Sequence, residues 1–222
     1  MPLKNPNRFE SLPGSYYALK TDQLFPSDNE WGIPTIRRTT LADTPAWLAP
    51  YRTRIRSQRP LTGAYHFFID DHRFESVWNR PNHAISALKQ LNVALSPDFS
   101  LYRDWPLCLQ LWNVYRNRWC GAYWQSQGIT VIPTISWSTP ESYPFAFAGI
   151  EKNSLVAIST VGSHHDRLSE HYFLQGLREM IRQFVPSRIL CYGPAPPGKY
   201  HTDIMAYPTR WKGIRDALKK DN

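Results

Sequence analysis

From Gly63 onward, short apolar runs alternate with stretches whose apolar residues recur every three or four positions. Residues 63–69 (GAYHFFI) are apolar and aromatic, as in a buried strand, and stop at Asp70-Asp71. A helix is expected next, with Pro81 in its first turn and Ile85, Leu88 and Leu91 on one face. Val93–Leu95 is a short strand closed by Ser96-Pro97-Asp98. Pro106 opens a long helix through about residue 127, and Gly128 ends it. Residues 129–135 (ITVIPTI) read as a strand interrupted by Pro133, hence an edge strand or one with a bulge. A short helix over residues 140–148 and the buried strand Leu155–Ser159 follow. The next helix turns Tyr172, Leu174, Leu177, Ile181 and Val185 inward and Arg178, Glu179 and Arg182 outward. Strands at 189–192 and Ile204–Tyr207 and a basic helix over 210–220 finish the chain.

Strand alternating with helix in this way is the pattern of successive parallel βα units. It predicts an α/β fold with a mainly parallel sheet, either open and doubly wound or curled into a partial TIM-like barrel. Residues 1–60 differ: Pro, Arg and Thr are frequent and no helical period persists, with short extended pieces at 15–20 and 33–40. The expected organisation is an irregular basic arm over 1–60, packed on a single α/β domain over 61–222. Within the arm, Arg52, Arg54 and Arg56 alternate, so in an extended strand they share one face. Such a row is a ridge for phosphates or a charged edge that blocks aggregation.

The charge changes the picture more than the overall composition does. A formal net charge of +8 favours an anionic partner such as nucleic acid, a nucleotide or a phosphorylated substrate. With 42% hydrophobic residues, a largely disordered chain is excluded. Nine Trp and twelve Tyr supply rings that fill a core, stack on bases or form a partner surface. No run reaches the roughly 20 apolar residues that span a bilayer, and the polar start of the chain lacks the apolar segment of a secretory signal. Cys108, Cys120 and Cys191 form no CxxC pair and read as buried thiols in a reducing compartment, so the expected location is cytoplasmic, with no membrane association.

In parallel α/β folds ligands bind at the carboxyl ends of the strands. That rule selects Asp70, Asp71 and Asp98, then Trp137 and Ser138, then Thr160 and Gly162, then Tyr192 and Gly193. The same residue types also cap the helices that follow strands. Asp70, Asp98 and Glu75 are the candidate acids and bases. On the long helix Asn113 and Arg116 lie three residues apart, sharing a face, and with Arg118 they either bind an anion or brace neighbouring loops. Asp70-Asp71-His72 and His164-His165-Asp166 resemble ligands for Mg or Mn. Adjacent residues seldom all bind one ion, and no HExxH or spaced HxH supports them, so no metal site is assigned. GxGxxG, GxxxxGK[ST] and GxSxG are absent, so no cofactor motif stands out. The last helix presents Arg210, Lys212 and Arg215 to solvent or to nucleic acid, and a cationic last turn also suits the helix dipole.

FFIDDHRFESVW, LSPDFSLYRDWP, LQLWNVYRNRWCGAYWQSQGITVIPTISWS and AISTVG occur in that order. Together they resemble domain-of-unknown-function family 4417, carried by phages, prophages and plasmids, from about Phe25 to Tyr192. The resemblance implies a mobile-element protein but no particular activity. By motif it points at Asp70, Phe74, Glu75 and Trp78, at Asp98 and Ser100, and at Gln110, Asn113, Tyr115, Arg116 and Arg118. It also points at Ser136, Trp137, Ser159, Thr160 and Gly162.

Two functions remain open. The first is binding or processing of nucleic acid through Arg52, Arg54, Arg56, Arg210, Lys212 and Arg215. The second is an α/β enzyme or binding protein for a nucleotide or other small phosphorylated ligand at the strand ends. There Asp70 or Asp98 is acid or base, Arg116 holds the anion and Trp137 stacks on a ring.

Overall fold

The computed structural model describes residues 23–55, 60–163 and 166–209. Its strands are β1 Trp47–Pro50, β2 Gly63–His66, β3 Val93–Leu95, β4 Thr130–Ile132, β5 Leu155–Ser159, β6 Arg188–Tyr192 and β7 Ile204–Tyr207. They form two sheets, β1-β2-β3-β4 and β5-β6-β7, each in chain order with every paired neighbour parallel. Helices cross between them: α1 Ser76–Asn79 and α2 Pro81–Leu88 after β2, and α3 Leu107–Ser126 after β3. Then come α4 Tyr143–Ala146 after β4 and α5 Arg167–Phe184 after β5. The α/β class is therefore as the βα rhythm predicts.

Alternation along each strand sends side chains to two cores. Ala64, Leu95, Ile132, Leu155, Ala157, Leu190, Tyr192 and Tyr207 meet in one inner cluster, with Leu48 and Met205 packed on it. The intervening residues face the helices. Tyr65, Ala94 and Val131 pack with Trp78, Leu88 and Trp119, and Val156, Ile158 and Ile189 pack with Leu177 and Met180. One inner cluster drawing on all seven of these strands means that the two sheets curve around a common interior, as in a partial barrel. β4 and β5 meet through two bonds, Ile135 N–H to the Ala157 carbonyl at 2.8 Å and Ala157 N–H to the Pro133 carbonyl at 2.9 Å. Pro133 lacks a donor, and here only its carbonyl is used, just past the end of β4. Between β7 and β1 the Tyr207 hydroxyl donates to the Pro45 carbonyl at 2.6 Å.

Several local expectations are corrected. β1 lies within the stretch read as irregular and pairs with β2 residue for residue. Arg52 and Arg54 do not continue β1 as an extended strand: β1 ends at Pro50 and Arg52 takes φ 66°, which turns the chain. Val185 is 60% exposed rather than inward, because α5 stops at Phe184 and Val185 adopts the left-handed cap conformation. The buried stripe of α5 is Gly176, Leu177, Met180 and Phe184. Cys108 is exposed in the first turn of α3, whereas Cys120 and Cys191 are buried, and no disulfide joins any of the three. The extended piece at 15–20, Arg56, His164, His165 and the basic helix over 210–220 lie outside the described residues.

Candidate active site

Residues at or just past the carboxyl ends of all seven strands line one open cleft of about 1500 Å³. Among the carboxyls of its lining are Asp71 from the turn after β2 and Asp98 from the loop after β3. Asp98 has part of its surface open to the cleft while its carboxyl lies deep among protein atoms. Burial pushes it up from the usual 3.8 to about 7, opposed by the Ser136 hydroxyl, which donates to it at 2.9 Å. The Asp71 charge pushes it further up, and the Arg118 guanidinium pulls it down. Asp71 accepts from the Ser100 hydroxyl at 2.8 Å and from the Ser100 N–H at 3.1 Å. Asp98 thus exchanges a proton near neutral pH beside a carboxyl fixed in place.

The long helix α3 is unusual in burying polar residues, and they hold the cleft in shape. Arg116 donates to Glu75 at 2.6 Å and to Asn113 at 2.6 Å, and its guanidinium lies 3.9 Å from the Phe99 ring centre. Asn113 in turn donates to the Ser100 carbonyl at 2.7 Å. Glu75, Arg116, Asn113, Ser100 and Asp71 therefore form one strut from helix to cleft. Arg118, fully buried, donates to the carbonyls of Thr134, Ala146 and Ala148 and to Asn117. Burial lowers its guanidinium to about 9, which leaves it charged at neutral pH. Gln110 accepts from the Ser138 hydroxyl at 2.6 Å and donates to the Trp105 carbonyl.

Rings form the cleft walls. Trp137 stacks on Phe173 with centres 5.5 Å apart, Tyr102 lies 4.8 Å from Trp105, and Phe68 stacks on Tyr192 at 5.4 Å. The Trp137 indole N–H donates to the Tyr172 carbonyl on α5 and lies directly over Gly176. A Cβ at Gly176 would stand 2.1 Å from that nitrogen. Gly176→Ala is therefore expected to push Trp137 off α5 and cost about 2 kcal/mol. Urea unfolding of the variant measures the loss, and an unchanged midpoint contradicts the contact.

Of the residues selected from sequence, Asp70, Asp98, Trp137, Ser138, Gly162 and Tyr192 line the cleft. Glu75, Asn113 and Arg116 stand behind it in the strut, and Arg118 is the clamp. Thr160 is buried behind the rim, donating to the Pro194 carbonyl at 3.0 Å. Arg52 borders a second, smaller chamber, and Arg54 is exposed. Arg56, Arg210, Lys212 and Arg215 lie outside the described residues. Asp70 is exposed, and its carboxyl makes no cap bond to the turn it precedes. Arg73, Arg103 and His66 were not selected. A lone His in an apolar strand, two residues from the inward Ala64, was the available signal for the last. Cys191 is pushed up to about 11 by burial, which leaves its thiol protonated.

Among the described residues no group of three or more His, Cys, Asp or Glu is placed to hold a metal ion. No described helix is long and apolar enough to cross a membrane.

Residues 25–208 match the sequence model of a domain of unknown function, DUF4417. The chain is also similar to two curated proteins, each named Gene 1 protein. It is 43% identical to that of Mycobacterium phage L5, covering 96% of this chain and 94% of the relative. It is 40% identical to that of Mycobacterium phage D29, covering 96% of this chain and 82% of the relative. No solved structure matches.

Proposed function

The chain belongs to the DUF4417 family and resembles phage proteins over nearly its whole length, and on that premise we propose an acid–base enzyme acting on a small, ring-bearing phosphorylated substrate, a nucleotide or a sugar phosphate. The observation that carries this is Asp98, titrating at about 7 beside Asp71 in a cleft walled by aromatic rings. A carboxylic acid tuned to neutral pH delivers and recovers a proton within one cycle. Asp98 is the proton donor and acceptor. Asp71, held by Ser100, is the second carboxyl, and Trp137 is the platform for the substrate ring. Three cysteines with no disulfide among them suit a cytoplasmic setting.

Nucleic acid is the second reading, favoured by the net charge of +8. Against it, among the described residues the cleft wall carries Asp70, Asp71, Asp98, Asp104 and Asp166 beside Arg73 and Arg103, an unfavourable lining for a polyphosphate backbone. Calorimetric titration of nucleoside monophosphates and sugar phosphates tests the first reading. Saturable binding weakened about tenfold by Trp137→Ala supports it. Binding only of a single-stranded oligonucleotide, falling steeply with salt, would transfer the function to the second reading.

A further inference from the structure

Beside the main cleft, and sharing Pro50, Arg73 and Tyr192 with it, lies a chamber of about 520 Å³. Among the described residues its wall has no carboxylate, although the main cleft has five. The polar groups are instead donors: the Arg52 and Arg73 guanidiniums, the Thr53 and Tyr51 hydroxyls, and His66. Arg73 is exposed and makes no side-chain hydrogen bond or ion pair among the described residues. Arg52 gives an N–H to Ser76 at 2.9 Å and also meets the Tyr51 hydroxyl, its guanidinium 5.7 Å from the Tyr51 ring centre.

His66 supplies the independent observation. It is fully buried at the end of β2, against the rings of Tyr192 at 4.3 Å and Phe68 at 5.6 Å. Its Nδ1 accepts the Phe68 N–H at 3.2 Å, which puts the ring proton on Nε2. Nε2 is buried and has no partner among the described residues. Burial holds the imidazole neutral, with a pKa lowered to about 3, so Nε2 remains a donor and not an acceptor at working pH. A buried donor without an acceptor is costly in a native protein, and a ligand oxygen is the group that would relieve it.

We infer that this chamber is the phosphate subsite of the enzyme, with Arg73 and Arg52 holding the oxyanion and His66 Nε2–H donating to one of its oxygens. The inference rests on the acid–base reading of the main cleft and adds to it a division of labour. Substrate phosphate sits among donors in the chamber, and the reacting bond lies beside Asp98 and Asp71, where an anion is repelled. Tyr192, common to both walls, stands at the junction.

The test is calorimetric titration of the full chain with inorganic phosphate at pH 7. Wild type is expected to bind saturably, Arg73→Ala at least tenfold more weakly, and His66→Phe about fivefold more weakly. Asp98→Asn is expected to bind phosphate as well as wild type. Should His66→Phe fail to fold, the His66 Nε2–H resonance in wild type decides, since it must move on phosphate addition. A wild type that does not bind, a resonance that stays still, or a loss produced by Arg103→Ala instead of Arg73→Ala would each overturn the subsite. Should Asp98→Asn leave turnover intact while Arg73→Ala abolishes phosphate binding, the acid–base reading falls and the subsite stands.

Discussion

Arg118→Met is expected to lower the stability of the protein by about 3–5 kcal/mol, enough to leave much of it unfolded at 37 °C. Methionine fills a similar volume, so the loss does not come from a cavity. It comes from the carbonyls of Ala146 and Ala148 and the Asn117 side-chain oxygen, which lose their donor inside the protein, and from the Thr134 carbonyl, which is left with the Asn117 amide alone. Those carbonyls belong to the segment between β4 and β5, which carries Ser136, Trp137 and Ser138 to the cleft. Arg118→Lys should recover only part of the loss, because one ammonium cannot reach points spread around a planar guanidinium. Urea unfolding of the three proteins measures both steps. A methionine variant within 1 kcal/mol of wild type would mean that the segment is held by its other contacts.

That clamp marks the boundary of what the chain discloses in one dimension. Apolar runs such as LVAIS and VAL appear as β5 and β3 with the bounds read from sequence, because parallel strands buried on both faces need unbroken hydrophobicity. Pro106 and Gly128 bracket α3 for equally local reasons, one preceding the helix and the other taking φ 80° after it. Whether Arg118 binds a ligand or a backbone is not local. It depends on residues 134 to 148 folding back over α3, and a cation three or four positions along a helix looks the same in either case. Asp70 and Asp71 pose the same problem. They are adjacent and chemically alike, and only the turn at Asp71–Arg73 sends the second, not the first, to Ser100. β1 was hidden because WLAP is four residues long and ends in proline, a sequence that makes a strand only where β2 offers an edge.

Asp98→Asn is expected to separate stability from catalysis, raising one as it removes the other. The folded pKa of about 7 lies above the ordinary 3.8, so between those values the folded protein holds a proton that the unfolded chain has released. Wild-type stability therefore falls as pH rises from about 4 to about 7, by up to 4 kcal/mol at about 1.4 kcal/mol per pH unit. Water reaching Asp98 from the cleft reduces this, and about 2 kcal/mol is the expected size. Asparagine keeps an oxygen for the Ser136 hydroxyl and has no charge to bury, so the variant should be more stable than wild type at pH 8 and indistinguishable at pH 4. Turnover should fall by about 10²-fold or more, since the amide neither donates the acid proton nor takes it back. Denaturation at the two pH values and a rate assay on one preparation read both quantities. A variant no more stable at pH 8 would show that Asp98 is ionised at little cost, and the neutral-pH acid would have to be sought in another residue of the cleft.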